Sequence, residues 1–175
     1  MTNAIRIRRF EPADRDSVLG VILPIQREEF GIEITAGDQP DLMGIDAFYQ
    51  TGCGGFWVAE HEGAVIGTIG LKDIGLKDIG LGQAGRPQAA LRKMFVATPY
   101  RGRPHGVASH LLDHLLAEAR ERGVGEIFLG TTAKFLAAHR FYEKNGFAEI
   151  ARHDLPASFP VMAVDTKFYL RRLAG

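Results

Sequence analysis

The sequence predicts an α/β protein: a single domain, about residues 5–173 of the 175, with a mixed, mostly antiparallel β-sheet and helices on both faces. Three observations predict it. Apolar residues recur with strand spacing in some stretches and helical spacing in others, and the two kinds are interleaved. The order is a strand, helices, a meander of strands, a strand–helix–strand unit and two closing strands. Hydrophobic residues make up 46% and charged residues 24%, with no linker-like run, which suits one globular core.

Ile5 to Phe10 alternates apolar with basic, as a half-buried strand does. Pro12 to Phe30 carries Val18, Leu19, Ile22, Ile25 and Phe30 at rough helical spacing, and Pro24 should break or kink that helix. Gly31 to Gln39 is loop. Asp38 followed by Pro40 is a helix-start signature, and Leu42, Ile45, Phe48 and Tyr49 supply a short apolar face. The Gly-Cys-Gly-Gly run at 52–55 ends it. Phe56 to Glu60 and Ala64 to Leu71 read as strands joined at Glu62-Gly63. A tandem pentapeptide follows, Leu71-Lys-Asp-Ile-Gly75 and then Leu76-Lys-Asp-Ile-Gly80. Two copies are too few for a solenoid, so the repeat reads as a local duplication that lengthens the connection to the next strand, Ala89 to Val96. Val107, Leu111, Leu112, Leu115, Leu116 and Ala119 share one helical face, and Gly123 ends the helix. Glu126 to Thr131 is a strand with an apolar centre. Phe135, Ala138, Phe141 and Tyr142 mark a helix capped by Gly146. Phe147 to His153 is a strand. Strict alternation from Met162 to Leu170 makes a closing one, and the exposed edge nearby suits a homodimer.

Composition excludes several classes. The 21 basic residues balance the 21 acidic ones, so no overall field favours nucleic acid. No apolar run is long enough for a membrane span, and the first six residues lack a signal-peptide pattern. Cys53 is the one cysteine, so no internal disulfide forms and a reducing, cytoplasmic setting is expected. The chain contains no Walker lysine motif, no Gly-x-Gly-x-x-Gly after a strand and no Gly-x-Ser-x-Gly elbow. His110 and His114 sit one turn apart, but the glutamate of a metalloprotease helix is missing, and no metal is expected. Cys53 reads as a plain loop thiol.

The chemistry concentrates at Tyr100-Arg101-Gly102-Arg103-Pro104-His105-Gly106-Val107-Ala108-Ser109. From Ala84 to Leu112 there are five basic residues and no acid. A strand–turn–helix here leaves first-turn N–H groups aimed outward, at the positive end of the helix dipole. Gly106 and Ala108 have little bulk, so a ligand can approach the backbone. Arg101 and Arg103 can grip phosphate oxygens. A phosphate or diphosphate is the simplest ligand for such a place.

Arg103-x-x-Gly106-x-Ala108 resembles the Arg/Gln-x-x-Gly-x-Gly/Ala signature of the GNAT superfamily of acyl-CoA-dependent N-acetyltransferases. Ala138-His-Arg-Phe-Tyr142-Glu-Lys-Asn-Gly146-Phe147 is similar to the family's second signature, and the element order is similar from Ile5 to Leu173. The resemblance implies a GNAT-like fold with a V-shaped gap between two parallel strands, Leu91–Val96 and Glu126–Thr131. It implies acetyl-CoA as co-substrate in that gap. The main chain of Met94, Phe95 and Val96 would pair with the pantetheine arm, and Arg101, Arg103, Gly106, Val107, Ala108 and Ser109 would hold the diphosphate. A frequent family asparagine seven residues before the tyrosine is Phe135 here.

The implied activity is acetyl transfer to a primary amine of a small molecule or peptide. Tyr142 is the expected general acid for the departing thiolate, because a phenol is protonated at neutral pH. Glu60 and His139 stand as alternatives for a base, with a surface position also open to His139. A sensor domain that binds acyl-CoA without turnover is the second reading. Six acids lie between Gln26 and Gln50, namely Glu28, Glu29, Glu33, Asp38, Asp41 and Asp46. As a wall of the acceptor pocket they would favour a cationic amine; as a solvated loop they would favour nothing.

Overall fold

The computed structural model describes residues 4–102, 105–133 and 135–174. Its centre is a seven-stranded sheet in the order β1-β2-β3-β4-β5-β7-β6. The strands are β1 (Arg6–Arg9), β2 (Gly55–His61), β3 (Ala64–Asp78), β4 (Ala84–Val96), β5 (Glu126–Thr131), β6 (Ala148–Ile150) and β7 (Lys167–Arg172). All neighbours run antiparallel except β4 and β5. Helices α1 (Arg15–Pro24), α2 (Pro40–Met43) and α3 (Ile45–Tyr49) cover one face; α4 (Val107–Glu121) and α5 (Leu136–Lys144) cover the other. The expected α/β class and sheet type are those observed.

Alternation along the strands makes the two cores. On β2, Trp57 and Ala59 point to α4 and pack with Leu111, Leu112 and Leu115, while Phe56 and Val58 point to α1–α3 and pack with Ile22, Leu42 and Tyr49. A third cluster, Ala90, Phe128, Phe159 and Phe168, lies under the segment between β6 and β7. The helical part of the first helix ends at Pro24, as its ring requires. Five residues of i→i+5 bonding follow, closed by Phe30 N–H to the Ile25 carbonyl at 3.0 Å.

Three sequence expectations need correction. The tandem pentapeptide is not a loop: β3 runs on to Asp78 and pairs with β4 down to Asp78↔Ala84. Each copy builds the same local device, an aspartate accepting from the glycine two residues on (Asp73 from Gly75, 2.8 Å; Asp78 from Gly80, 2.9 Å), with both glycines at positive φ. The first copy is absorbed as an irregularity in the ladder; the second turns the chain. The strand expected over Phe147 to His153 is only three residues long, because Ala151 leads into a 3₁₀ turn. The alternating run from Met162 is a strand only from Lys167, since Met162 and Asp165 close a turn instead. The sheet edge at this end is β6, beside the C-terminal strand β7.

Candidate active site

β4 and β5 are parallel neighbours for three residue pairs only, Gln88↔Glu126, Ala89↔Ile127 and Ala90↔Phe128. Beyond Ala90 the strands part. β5 stays paired to β7 as far as Thr131↔Lys167, and β4 stays paired to β3 as far as Val96. The result is a wedge with backbone on both walls. Ala97 N–H bonds the Ile66 carbonyl at 2.8 Å, so Gly67↔Val96 is a non-hydrogen-bonded pair and the N–H and C=O of Val96 point away from β3, into the wedge. An extended chain laid there can add a strand to β4.

A bulge shapes the β4 wall. Thr68 pairs Phe95 and Gly70 pairs Arg92, so two residues of β4, Lys93 and Met94, oppose Ile69. Lys93 takes φ 54°, unusual for a side chain with a Cβ, and the Thr68 hydroxyl holds its carbonyl at 2.7 Å. The extra residue breaks strict alternation. Leu91, Met94 and Val96 pack toward α4 and α5, whereas Arg92, Lys93 and Phe95 all reach the α1–α3 face.

Tyr142, on α5, is buried in the wedge floor. Its hydroxyl lies 3.8 Å from the Met94 sulfur, and its ring contacts Phe147 and Tyr169. Loss of solvent pushes its phenol up to about 12. The proton is therefore held at neutral pH, on an oxygen pointing at the strand expected to carry the thioester.

The turn after β4 behaves as its residues require. Gly106 is the N-cap of α4 in the left-handed region, φ 61°, and among the described residues no side chain caps that helix end. The amides of Val107, Ala108 and Ser109 thus open the helix without an intrahelical acceptor. Val107 is buried against the sheet and Ser109 is exposed. Arg103 lies outside the described residues. Arg101 has partners of its own: both its terminal nitrogens meet Glu29 (2.5 and 2.8 Å), and its Nε donates to the Val96 carbonyl at 2.8 Å. That pair holds the Glu29 carboxyl below its usual range.

Other candidates fall into place. Glu60 is on β2, two strands from the wedge, and is bound to Arg8 at 2.6 Å. His139 is buried, not on the surface, with a ring nitrogen 2.9 Å from the Thr132 carbonyl. His114 sits 3.3 Å from Glu118 on the same helix. Burial raises the Cys53 thiol to about 11, which leaves it protonated and unreactive. Three of the six acids of the 26–50 stretch are engaged internally: Glu29 is held by Arg101, Asp38 closes a turn on Thr35, and buried Asp41 accepts from Tyr49 at 2.6 Å and lies 3.7 Å from the Lys93 ammonium; Glu28, Glu33 and Asp46 are exposed. Sequence reasoning missed Lys93 and Arg92, because a bulge leaves no local signature in this run.

The parting of β4 and β5, the first turn of α4 after it and the buried Tyr142 phenol facing Met94 make up the candidate site. Comparison agrees. Residues 22–147 match the model of the Acetyltransferase (GNAT) family, and the chain belongs to that family. The N-acetylaspartate synthetase of Xenopus tropicalis is 34% identical over 111 residues, 63% of this chain and 37% of that protein. An acetyltransferase of the GNAT family from Staphylococcus aureus Mu50 superposes with a TM-score of 0.85 at 39% identity, covering 98% of this chain and 100% of that one. An acetyltransferase from Streptococcus agalactiae gives 0.86 at 28% identity, with coverage of 98% and 100%. The chain thus matches little more than a third of the length of the synthetase, but the whole of the two bacterial structures.

Proposed function

We propose that the protein transfers the acetyl group of acetyl-CoA to a primary amine of a small molecule or peptide, by direct attack, with Tyr142 as general acid. The observation that carries this reading is the phenol: buried, protonated, and aimed at Met94 where β4 and β5 have separated. The pantetheine arm pairs with the main chain of Met94, Phe95 and Val96. The diphosphate lies against Gly106 on the amides of Val107, Ala108 and Ser109, with Arg101 and Arg103. To serve there, Arg101 must exchange Glu29 and the Val96 carbonyl for phosphate oxygens.

The chemistry balances without a further group. The neutral amine attacks the thioester carbon and an N–C bond forms. The carbonyl oxygen takes up negative charge, which a main-chain N–H of β4 stabilises. The C–S bond then breaks, the sulfur takes the Tyr142 proton, and the ammonium proton leaves to solvent, restoring the phenol by exchange. Family membership supports acyl transfer, and a relative named for making N-acetylaspartate supports an amine acceptor. Calorimetry with acetyl-CoA, followed by thiol release on a panel of amines, tests the reading. Micromolar binding with amine-dependent thiol release is expected. Binding without release on any amine would favour a sensor, and no binding would reject both.

A further inference from the structure

The α1–α3 face of the sheet is covered in two blocks. One is the cluster of α1, α2 and α3 over β1 to β4; the other is the 151–166 segment over β5, β6 and β7. On this face, opposite α4, β4 at its bulge lies between them, and Arg92 bridges the two blocks. Its guanidinium lies 5.6 Å from the centre of the Phe48 ring in one block and 3.5 Å from the Met162 sulfur in the other. Among the described residues no carboxylate comes within ion-pair distance of it.

Its neighbours do not cancel the charge. Lys93, beside it on the same face, is already matched by Asp41. Lys72 adds a second cation, 4.3 Å over the Phe48 ring. Asp165, seated against Gly130 of β5, accepts from the Met162 amide and feels both Arg92 and Arg152. Arg92 and Lys72 therefore stand on this face with no carboxylate within ion-pair distance among the described residues, beside the Lys93–Asp41 pair. Arg92 and Met94 lie two residues apart on β4, on either side of the Lys93 bulge, so a small molecule with an amine at one end and an anion at the other can reach both.

We infer that Arg92 receives the anionic group of the acceptor, so that the substrate is an amine bearing a carboxylate, of the amino-acid class. This deepens the acetyltransferase reading and rests on it. An arginine fork meets a carboxylate through two parallel hydrogen bonds, which fixes both the position and the orientation of the amine at the other end. It also runs against the preference for cationic amines that the acidic stretch at 26–50 implies in sequence, since Glu29, Asp38 and Asp41, half of its six acids, are taken up by Arg101, Thr35 and the Lys93–Tyr49 pair.

The test is steady-state thiol release with matched acceptors: free amino acids, the same compounds as carboxamides, and spermidine. The free acids should show KM values at least tenfold below their amides. Arg92→Met should raise KM for the acids tenfold or more, erase the acid–amide difference and leave KM for acetyl-CoA unchanged. Arg92→Lys, which keeps the charge and loses the fork, should fall between. It decides the matter should the methionine variant fail to fold. Amides or spermidine used as well as the acids, or a methionine variant that still prefers acids, would overturn the assignment while leaving acetyl transfer standing. An absence of acetyl-CoA binding would overturn the acetyltransferase reading and this inference together.

Discussion

At Tyr142 the burial that raises the phenol also makes it testable. Tyr142→Phe removes one oxygen from a packed ring and leaves Phe147 and Tyr169 in contact. If the proton goes to the thiolate, kcat should fall by about a hundredfold or more, while acetyl-CoA affinity stays within about threefold. Stopped-flow turnover and calorimetry check the two halves; an unchanged kcat removes Tyr142 from the chemistry. The same phenol predicts a pH effect. Below pH 10 it is protonated in both folded and unfolded chains. Above that the unfolded chain ionises while the folded one resists up to about 12, so stability should fall with rising pH across this window, by about 1.4 kcal/mol per unit. Denaturant titrations of the wild type minus Tyr142→Phe isolate it from Cys53 and the other tyrosines. Lys93 offers a stability test. Its ammonium is lowered by burial and partly restored by Asp41. Lys93→Met strands Asp41 in the core with Tyr49, and should cost about 3 kcal/mol in urea unfolding. Residues were legible in sequence where a motif fixed them, as at Tyr142 and Gly106. The Arg101–Glu29 pair, separated by 72 positions, and the facing of Arg92 were not, because each depends on how distant segments meet.

Among the elements, the β4–turn–α4 unit was the most readable. Its glycines, its basic residues and the leucine face of α4 all agree with one geometry, and α4 begins at Val107 as its pattern requires. Gly106 holds φ 61°, and a Cβ there would meet nothing within 4 Å among the described residues, so a substitution acts by straining the backbone. Gly106→Ala should cost about 1 kcal/mol, a fall of roughly 2–4 °C in melting temperature for a chain of this size. It should also weaken acetyl-CoA severalfold, because the first-turn amides shift with it; calorimetry reads that loss directly. The repeat was the least readable element. Leu-Lys-Asp-Ile-Gly has both the alternation of a strand and the Asp–Gly of a turn, and only pairing with β4 decides that copy one continues and copy two reverses. The pairs it adds, Leu76↔Pro87 and Asp78↔Ala84, lie outside the stretch where β4 joins β5. Deleting residues 76–80 should lower the melting temperature yet hold kcat within about twofold. A larger loss in thiol release would mean that the ribbon serves the site.

Across the whole molecule the sheet is one continuous ladder, interrupted by register shifts in β2–β3 and β3–β4, and its one parallel pair, β4 and β5, holds for three residue pairs and then parts. Alternation and burial predicted the strands and their two faces, but no pattern in sequence says where two parallel strands stop pairing. That follows from β5 being drawn toward β7 and β4 bending at the Lys93 bulge. A ligand that fills the wedge links the β1–β4 half to the β5–β7 half through main-chain bonds, and it does so only when both halves are folded. Acetyl-CoA at a hundredfold excess over its dissociation constant should then stabilise the chain by about 2.7 kcal/mol, a rise of roughly 5–10 °C in melting temperature. Coenzyme A should give most of that rise, since it keeps the diphosphate and pantetheine. Adenosine diphosphate should give much less, because it reaches the α4 amides without entering between the strands. Differential scanning fluorimetry separates the three. An equal rise with all of them would place the binding energy at the helix terminus alone and leave the wedge without a role.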